Sequence, residues 1–238
     1  MAGNTIVLSG AEGRHATTVR RLGPGEHVDI TDGAGTMASC VITVARPGVL
    51  ELKVLERAFA PAPAPRVAVV QAIPKGDRGE LAVETMTEVG VDLIVPWAAE
   101  RCVVRWRGDK ADKGAARWRS AAVAAAKQSR RSWLPEVSQV ASSAEVAARV
   151  KAIVSGGRGL AVLLDPDAPQ SLPAVASTRG VTEIVLLVGP EGGISPAETS
   201  LFAEAGAVGA RLGPTVLRAS SAGAIAAALV MTAAGRWD

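Results

Sequence analysis

The sequence predicts an α/β protein, a parallel sheet with helices on its faces, preceded by a small β-rich unit. Three observations carry this expectation. From Val67 onward short apolar runs alternate with helical patterns, as in strand–helix–strand units that share one parallel sheet. Before them, Val28–Thr31 and Val41–Val44 are β-branched runs on either side of Asp32-Gly33-Ala34-Gly35, a hairpin-type turn. Residues 58–66 between the two regions carry Pro61, Pro63 and Pro65, which makes them a stiff extended linker. The expected division is therefore 1–57, 58–66 and 67–238.

Taken in order, the first unit also holds Gly23-Pro24-Gly25, a turn, and His15 to Arg21, one or two helical turns ending in adjacent arginines. In the second, strands are expected at Val67–Ile73, Val91–Trp97, Glu136–Val140, Leu160–Leu164, Glu183–Val188 and Ala207–Leu212. Helices are expected at Glu80–Val89, where Gly90 stops the pattern, at Ala111–Arg131 and at Ala144–Val154. Ile184–Val188 is continuously apolar and so reads as a strand buried on both faces. Ser195-Pro196-Ala197-Glu198 has the N-cap serine, first-turn proline and reciprocal glutamate of a capping box, so a short helix begins there. A small-residue helix follows Arg218. Open parallel sheets bind ligands beyond the C-terminal ends of their strands. Three such ends carry turns: Asp165-Pro166-Asp167, Gly189–Gly193 and Gly213–Thr215.

Charge narrows the partners. The chain carries only +3 overall, but residues 101–131 hold ten Lys/Arg against Asp109 and Asp112, a local excess of +8. Localised positive charge suits a polyanion such as nucleic acid, and a solvated helix face is the plainer alternative. Trp106, Trp118 and Trp133 lie among these arginines; aromatics in such a setting can stack single-stranded bases, although a Trp in a long helix is more often core. Cys40 and Cys102 are too few for a disulfide framework, and with His15 and His27 they offer no metal-ligand spacing. No secretory pattern or membrane-length apolar run is present. A reduced, cytoplasmic protein without a metal is expected.

The glycine turn Gly189-Pro190-Glu191-Gly192-Gly193 is not a phosphate cradle. It lacks the Gly-x4-Gly-Lys-Ser/Thr of a P-loop and the Gly-x-Gly-x-x-Gly of a dinucleotide site. Glu191 would repel a pyrophosphate and suits a neutral or cationic ligand; a sulfonium cofactor meets that description.

Gly189-Pro190-Glu191-Gly192-Gly193-Ile194-Ser195-x-x-Glu198, followed by Leu212-Gly213-Pro214-x-Val216-Leu217-Arg218, resembles the RsmE-type 16S rRNA (uracil-N3) methyltransferases of the SPOUT superfamily. His15-x-x-x-Val19-Arg20-Arg21, Pro74-Lys75-Gly76-Asp77, Thr87–Val91, Glu100–Val103, Arg117-Trp118 and Lys127–Arg131 match in order, so the resemblance spans nearly the whole chain. It implies an N-terminal PUA-like barrel that binds RNA and a SPOUT domain with a C-terminal trefoil knot. It also implies S-adenosylmethionine as donor, a homodimer, and the 16S rRNA of the 30S subunit as partner. The implied cofactor residues are Leu164, Leu187, Gly189, Pro190, Glu191, Gly192, Gly193, Leu212, Gly213 and Leu217. RNA contacts are expected from His15, Arg20, Arg21, Lys75, Arg101, Arg105, Arg117, Lys127, Arg130 and Arg131. For catalysis, Glu191 is the candidate acceptor of the uracil N3 proton and Arg218 the stabiliser of charge spreading onto the uracil carbonyls.

Two departures from the family are visible. The family usually follows its arginine with Thr-Glu-Thr-Ala, whereas this chain has Ala219-Ser220-Ser221-Ala222. The chain also opens at Met1-Ala2-Gly3, short of the family's usual first strand, so the barrel is expected to lack that strand. The first departure leaves a second reading open, a non-catalytic RNA-binding or ribosome-assembly factor; a SPOUT enzyme with a different RNA target is a third.

Overall fold

A computed structural model describes residues 4–176 and 180–237. Contacts divide the chain into two units: the first runs to Ala62 and takes in Arg131–Trp133, and the second holds Pro63–Arg130 and the chain from Leu134 onward.

The first unit is a four-stranded antiparallel sheet, β1 (Thr5–Leu8), β2 (His27–Thr31), β3 (Thr36–Arg46) and β4 (Val49–Phe59), in the order β1-β4-β3-β2. The β2–β3 turn falls at Asp32–Gly35, as expected, and Asp32 Oδ1 accepts from the backbone N–H of Ala34 and Thr36 at 2.8 and 3.0 Å. A short helix α1 (Gly10–Arg14) runs into a π-helical turn at His15–Val19. Ala16, Ala38, Cys40, Ile42, Leu50 and Leu52 form the core. β1 and β4 extend the sheet beyond the two strands read from the sequence, and β4 takes in Ala58 and Phe59, so the extended stretch starts at Ala60. Met1–Gly3, on which the expected loss of the opening strand rests, lie outside the described residues.

The long helix is expected to run to Arg131. Instead that helix stops at Gln128, and Arg130 turns the chain at φ 53°. Trp133 then donates from Nε1 to the Ala60 carbonyl at 2.9 Å and meets the Phe59 ring edge-on. The Gly35 N–H donates to Ser132 O at 3.0 Å. Gly35 has φ 97°, and a Cβ there would sit 2.9 Å from the Trp133 ring, so only glycine fits.

The second unit is a six-stranded parallel sheet. Its strands are β5 (Arg66–Ala72), β6 (Leu93–Trp97), β7 (Glu136–Val137), β8 (Gly159–Leu164), β9 (Glu183–Val188) and β10 (Val208–Ala210), ordered β10-β8-β9-β5-β6-β7. The helices are α2 (Arg78–Val89), α3 (Asp109–Gln128), α4 (Ser143–Ser155), α5 (Leu172–Val175), α6 (Pro196–Glu204) and α7 (Ala219–Ala233). β9 lies between β8 and β5, and Ile184 to Leu187 are wholly buried, as its unbroken apolar run requires. Gly90 ends α2 at φ 108°. Past α7, Arg236 grips Asp92 with Nη1–Oδ2 at 2.7 Å and donates to the carbonyls of Pro65 and Gly90. This locks the C-terminal segment against the β5 and β6 starts. Among the described residues, no helix is long and apolar enough to cross a membrane.

Candidate active site

Because β10, β8 and β9 are neighbours in register, the loops leaving their C-terminal ends are neighbours too. Together they enclose a cavity of about 590 Å3 in the second unit. Asp165, Pro166 and Asp167 come from the β8 loop, Gly189 to Glu191 with Gly193 and Ile194 from the β9 loop, and Leu212, Gly213 and Thr215 to Arg218 from the segment after β10. Ala219 and Ala222 of α7, Thr199 of α6 and Arg101 from the loop after β6 complete it. The two motifs at Gly189–Ile194 and Leu212–Arg218, separated in sequence by α6 and β10, are walls of one pocket.

Local rules hold each wall in place. The β9 loop is a turn closed by the Gly193 N–H on the Pro190 carbonyl at 2.9 Å, with Gly193 at φ 74°. A Cβ on Gly189 would meet Ile194 Cγ1 at 2.5 Å, so the chain can fold back on itself only with glycine there. The helix beyond starts at the expected capping box: Ser195 Oγ accepts the Glu198 N–H and Glu198 returns a carboxylate oxygen to the Ser195 N–H, both at 3.2 Å. In the β8 loop, Asp165 Oδ1 accepts the Asp167 N–H at 2.9 Å. Arg218 is the N-cap residue of α7, its main chain extended and its side chain exposed.

The cavity joins apolar walls (Leu164, Val188, Leu212, Leu217) to five charged residues, Asp165, Asp167, Glu191, Arg101 and Arg218. Glu191 Oε1 accepts from the Lys75 N–H at 3.4 Å and lies 4.0 Å from Arg78 Nη1, which ties the β5–α2 loop to the glycine turn. Arg101 Nη1 donates to the Gly192 carbonyl at 3.3 Å.

Of the residues expected at a cofactor site, Leu164, Gly189, Pro190, Glu191, Gly193, Leu212, Gly213 and Leu217 line the cavity, as do both candidate catalytic residues, Glu191 and Arg218. Leu187 does not: β9 is buried on both faces and Leu187 is sealed in the sheet core. Gly192 is also outside the lining, its carbonyl turned to Arg101. Asp165, Asp167, Ile194, Thr199, Thr215 and Val216 are cavity residues absent from the sequence expectation. The strand-end turn at Asp165–Asp167 was a usable signal; Thr199 had none, because it reaches the cavity from a helix.

The ten basic residues expected to touch RNA are spread over both units. His15, Arg20 and Arg21 are exposed in the first, which also holds Arg131. In the second, Arg101 reaches the cavity and Lys75 borders Glu191 through its backbone. Arg105 Nη2 donates to Glu100 O at 2.6 Å, and Arg117 pairs with Glu80 at 3.0 Å. Lys127 and Arg130 are exposed where α3 ends. Trp106 and Trp118 are buried and packed edge-on at 5.3 Å, so they are core rather than base-stacking platforms. Burial pushes the thiols of Cys40 and Cys102 above their ordinary pKa.

A model of an RNA methyltransferase domain matches residues 61–231 and one of an RNA methyltransferase PUA domain matches residues 8–55, which sets the chain among the RNA methyltransferases. It is 44% identical over 236 residues to the ribosomal RNA small subunit methyltransferase E of Mycobacterium bovis, covering 99% of this chain and 89% of that one. It is 28% identical to the Bacillus subtilis protein of the same name, over 92% and 86% of the two chains. The crystal structure of a ribosomal RNA small subunit methyltransferase E from Neisseria gonorrhoeae bound to S-adenosyl methionine is similar with a TM-score of 0.86 at 27% identity, over 98% and 93%. The chain belongs to the ribosomal RNA small subunit methyltransferase E family.

Proposed function

We propose that the protein transfers the methyl group of S-adenosylmethionine to N3 of a uridine in the 16S rRNA of the 30S subunit, acting in the cytoplasm as a homodimer. The observation that carries the reading is the single cavity in which both family motifs meet, with Glu191 and Arg218 on its wall. Its residues fit the cofactor. The volume lies in the range of small-molecule sites, Leu164, Val188, Leu212 and Leu217 offer apolar surface to an adenine, and three carboxylates against two guanidiniums suit a cationic sulfonium. When bound, the cofactor supplies an electrophilic methyl group.

The chain's own residues have two tasks. N3 of uracil is protonated at neutral pH, and Glu191 takes that proton. Arg218 stands at the start of α7, where the helix dipole adds to its charge, and stabilises the negative charge that spreads to the uracil oxygens. Ser220, where the family carries an acid, is buried and outside the cavity lining, so it offers no substitute base. The basic residues of both units supply phosphate contacts. The knot implied by the family would involve the loops that form the cavity.

Calorimetry with S-adenosylmethionine tests the cofactor assignment, and Arg218→Ala tests the division of labour. The variant should keep cofactor affinity while methyl transfer falls about a hundredfold, the usual cost of losing one transition-state donor. No heat from the wild type at millimolar cofactor would overturn the reading. RNA binding without methyl transfer would favour the non-catalytic alternative.

A further inference from the structure

Glu198 makes more bonds than a capping box uses. Its side chain is buried, with the residue 4% exposed. Oε2 accepts the Ser195 N–H, as the cap requires. Oε1 accepts two donors from elsewhere: the Glu100 N–H at 2.8 Å, in the loop after β6, and the Ser143 hydroxyl at 2.7 Å, in the first turn of α4. Ser143 Oγ in turn accepts the Trp97 indole N–H at 3.0 Å. One carboxylate thus joins the start of α6, the start of α4 and the loop that carries Arg101.

Arg101 is the residue next to Glu100, and it lies along the glycine turn. A Cβ on Gly192 would sit 3.2 Å from the Arg101 carbonyl oxygen and 3.3 Å from its Cβ. Its guanidinium reaches the Gly192 carbonyl and lines the cavity. The turn is therefore fixed at one end by the Ser195 cap and braced on its side by Arg101, and both supports depend on the same carboxylate.

We propose that Glu198 is a positioning residue that acts through Arg101, setting the shape of the glycine turn. The inference rests on the reading of this cavity as the methyl-donor site. Glu198→Gln is nearly isosteric, and its single carbonyl oxygen cannot serve both sides. In either amide orientation an NH2 faces a donor, the Ser195 N–H on one side or the Glu100 N–H and Ser143 hydroxyl on the other.

The test is a double-mutant cycle of Glu198→Gln and Arg101→Ala, read by calorimetry with S-adenosylmethionine, with amide hydrogen exchange of residues 189–194 followed in all four proteins. Each single variant should lose about tenfold in affinity, the scale of one charged hydrogen bond, and the double variant should be little worse than either. Exchange in the turn should quicken in both single variants. Additive losses, or a lowered melting temperature with unchanged affinity and unchanged exchange in the turn, would overturn the proposal. A wild-type protein that binds no cofactor would defeat the reading of the cavity instead, and slower exchange in the turn on mutation of Glu198 would still refute the positioning role.

Discussion

Gly189 and Gly193 serve one turn for different reasons. Gly189 is needed for space, since any Cβ would strike Ile194. Gly193 is needed for conformation, at φ 74°, with its N–H closing the turn on Pro190. The glycines were plain in the sequence, and so was the exclusion of a phosphate cradle, because Glu191 stands among them. What the sequence could not show was the engagement of Glu191 with Lys75 and Arg78, which follows from β5 and β9 being adjacent strands. Gly193→Val puts a β-branched side chain at positive φ, a strain of about 1–3 kcal/mol that the turn relieves by changing shape. The variant should bind S-adenosylmethionine at least tenfold more weakly by calorimetry while remaining folded by circular dichroism. Unchanged affinity would mean that the turn does not touch the cofactor.

At the scale of elements, legibility followed burial. The parallel strands were readable because both faces are covered and their apolar runs are unbroken, as in Ile184–Val188. β4 was not readable. Its Val-Leu-Glu-Leu-Lys-Val-Leu-Glu-Arg sequence is rich in helix-favouring residues, and its second half is exposed. Pairing with β3 makes it a strand, with irregularities at Ser39/Cys40 and Ile42/Val44 that blur any strict alternation. The end of α3 was missed because Lys127 to Arg131 continue a helical pattern, whereas Arg130 reverses the chain. The C-terminal lock was also invisible, since Arg236 and Asp92 are remote in sequence. Both side chains are largely buried, so Arg236→Ala removes the guanidinium that offsets the Asp92 charge, although Asp92 keeps its bond from the Val67 N–H, and should cost about 3 kcal/mol in urea unfolding. A loss below about 0.5 kcal/mol would place this contact among ordinary surface pairs.

At the scale of the whole molecule, two units of different design serve one family function. The first is a small antiparallel sheet with exposed basic residues, and the second a parallel sheet whose cavity gathers residues from loops more than a hundred positions apart. The motif spacing pointed to that convergence, because strand ends carrying glycine turns share one edge of a parallel sheet. Catalysis by Glu191 and Arg218, with Ser220 where the family has an acid, is tested directly by turnover. The measurement is transfer of a tritiated methyl group from S-adenosylmethionine to 30S subunits that lack the mark, with nuclease mapping of the product. The expected product is one N3-methyluridine in the 16S rRNA, formed about a hundredfold more slowly by Arg218→Ala. Cofactor binding without incorporation, or a methyl group on another atom or another RNA, would contradict the proposed function.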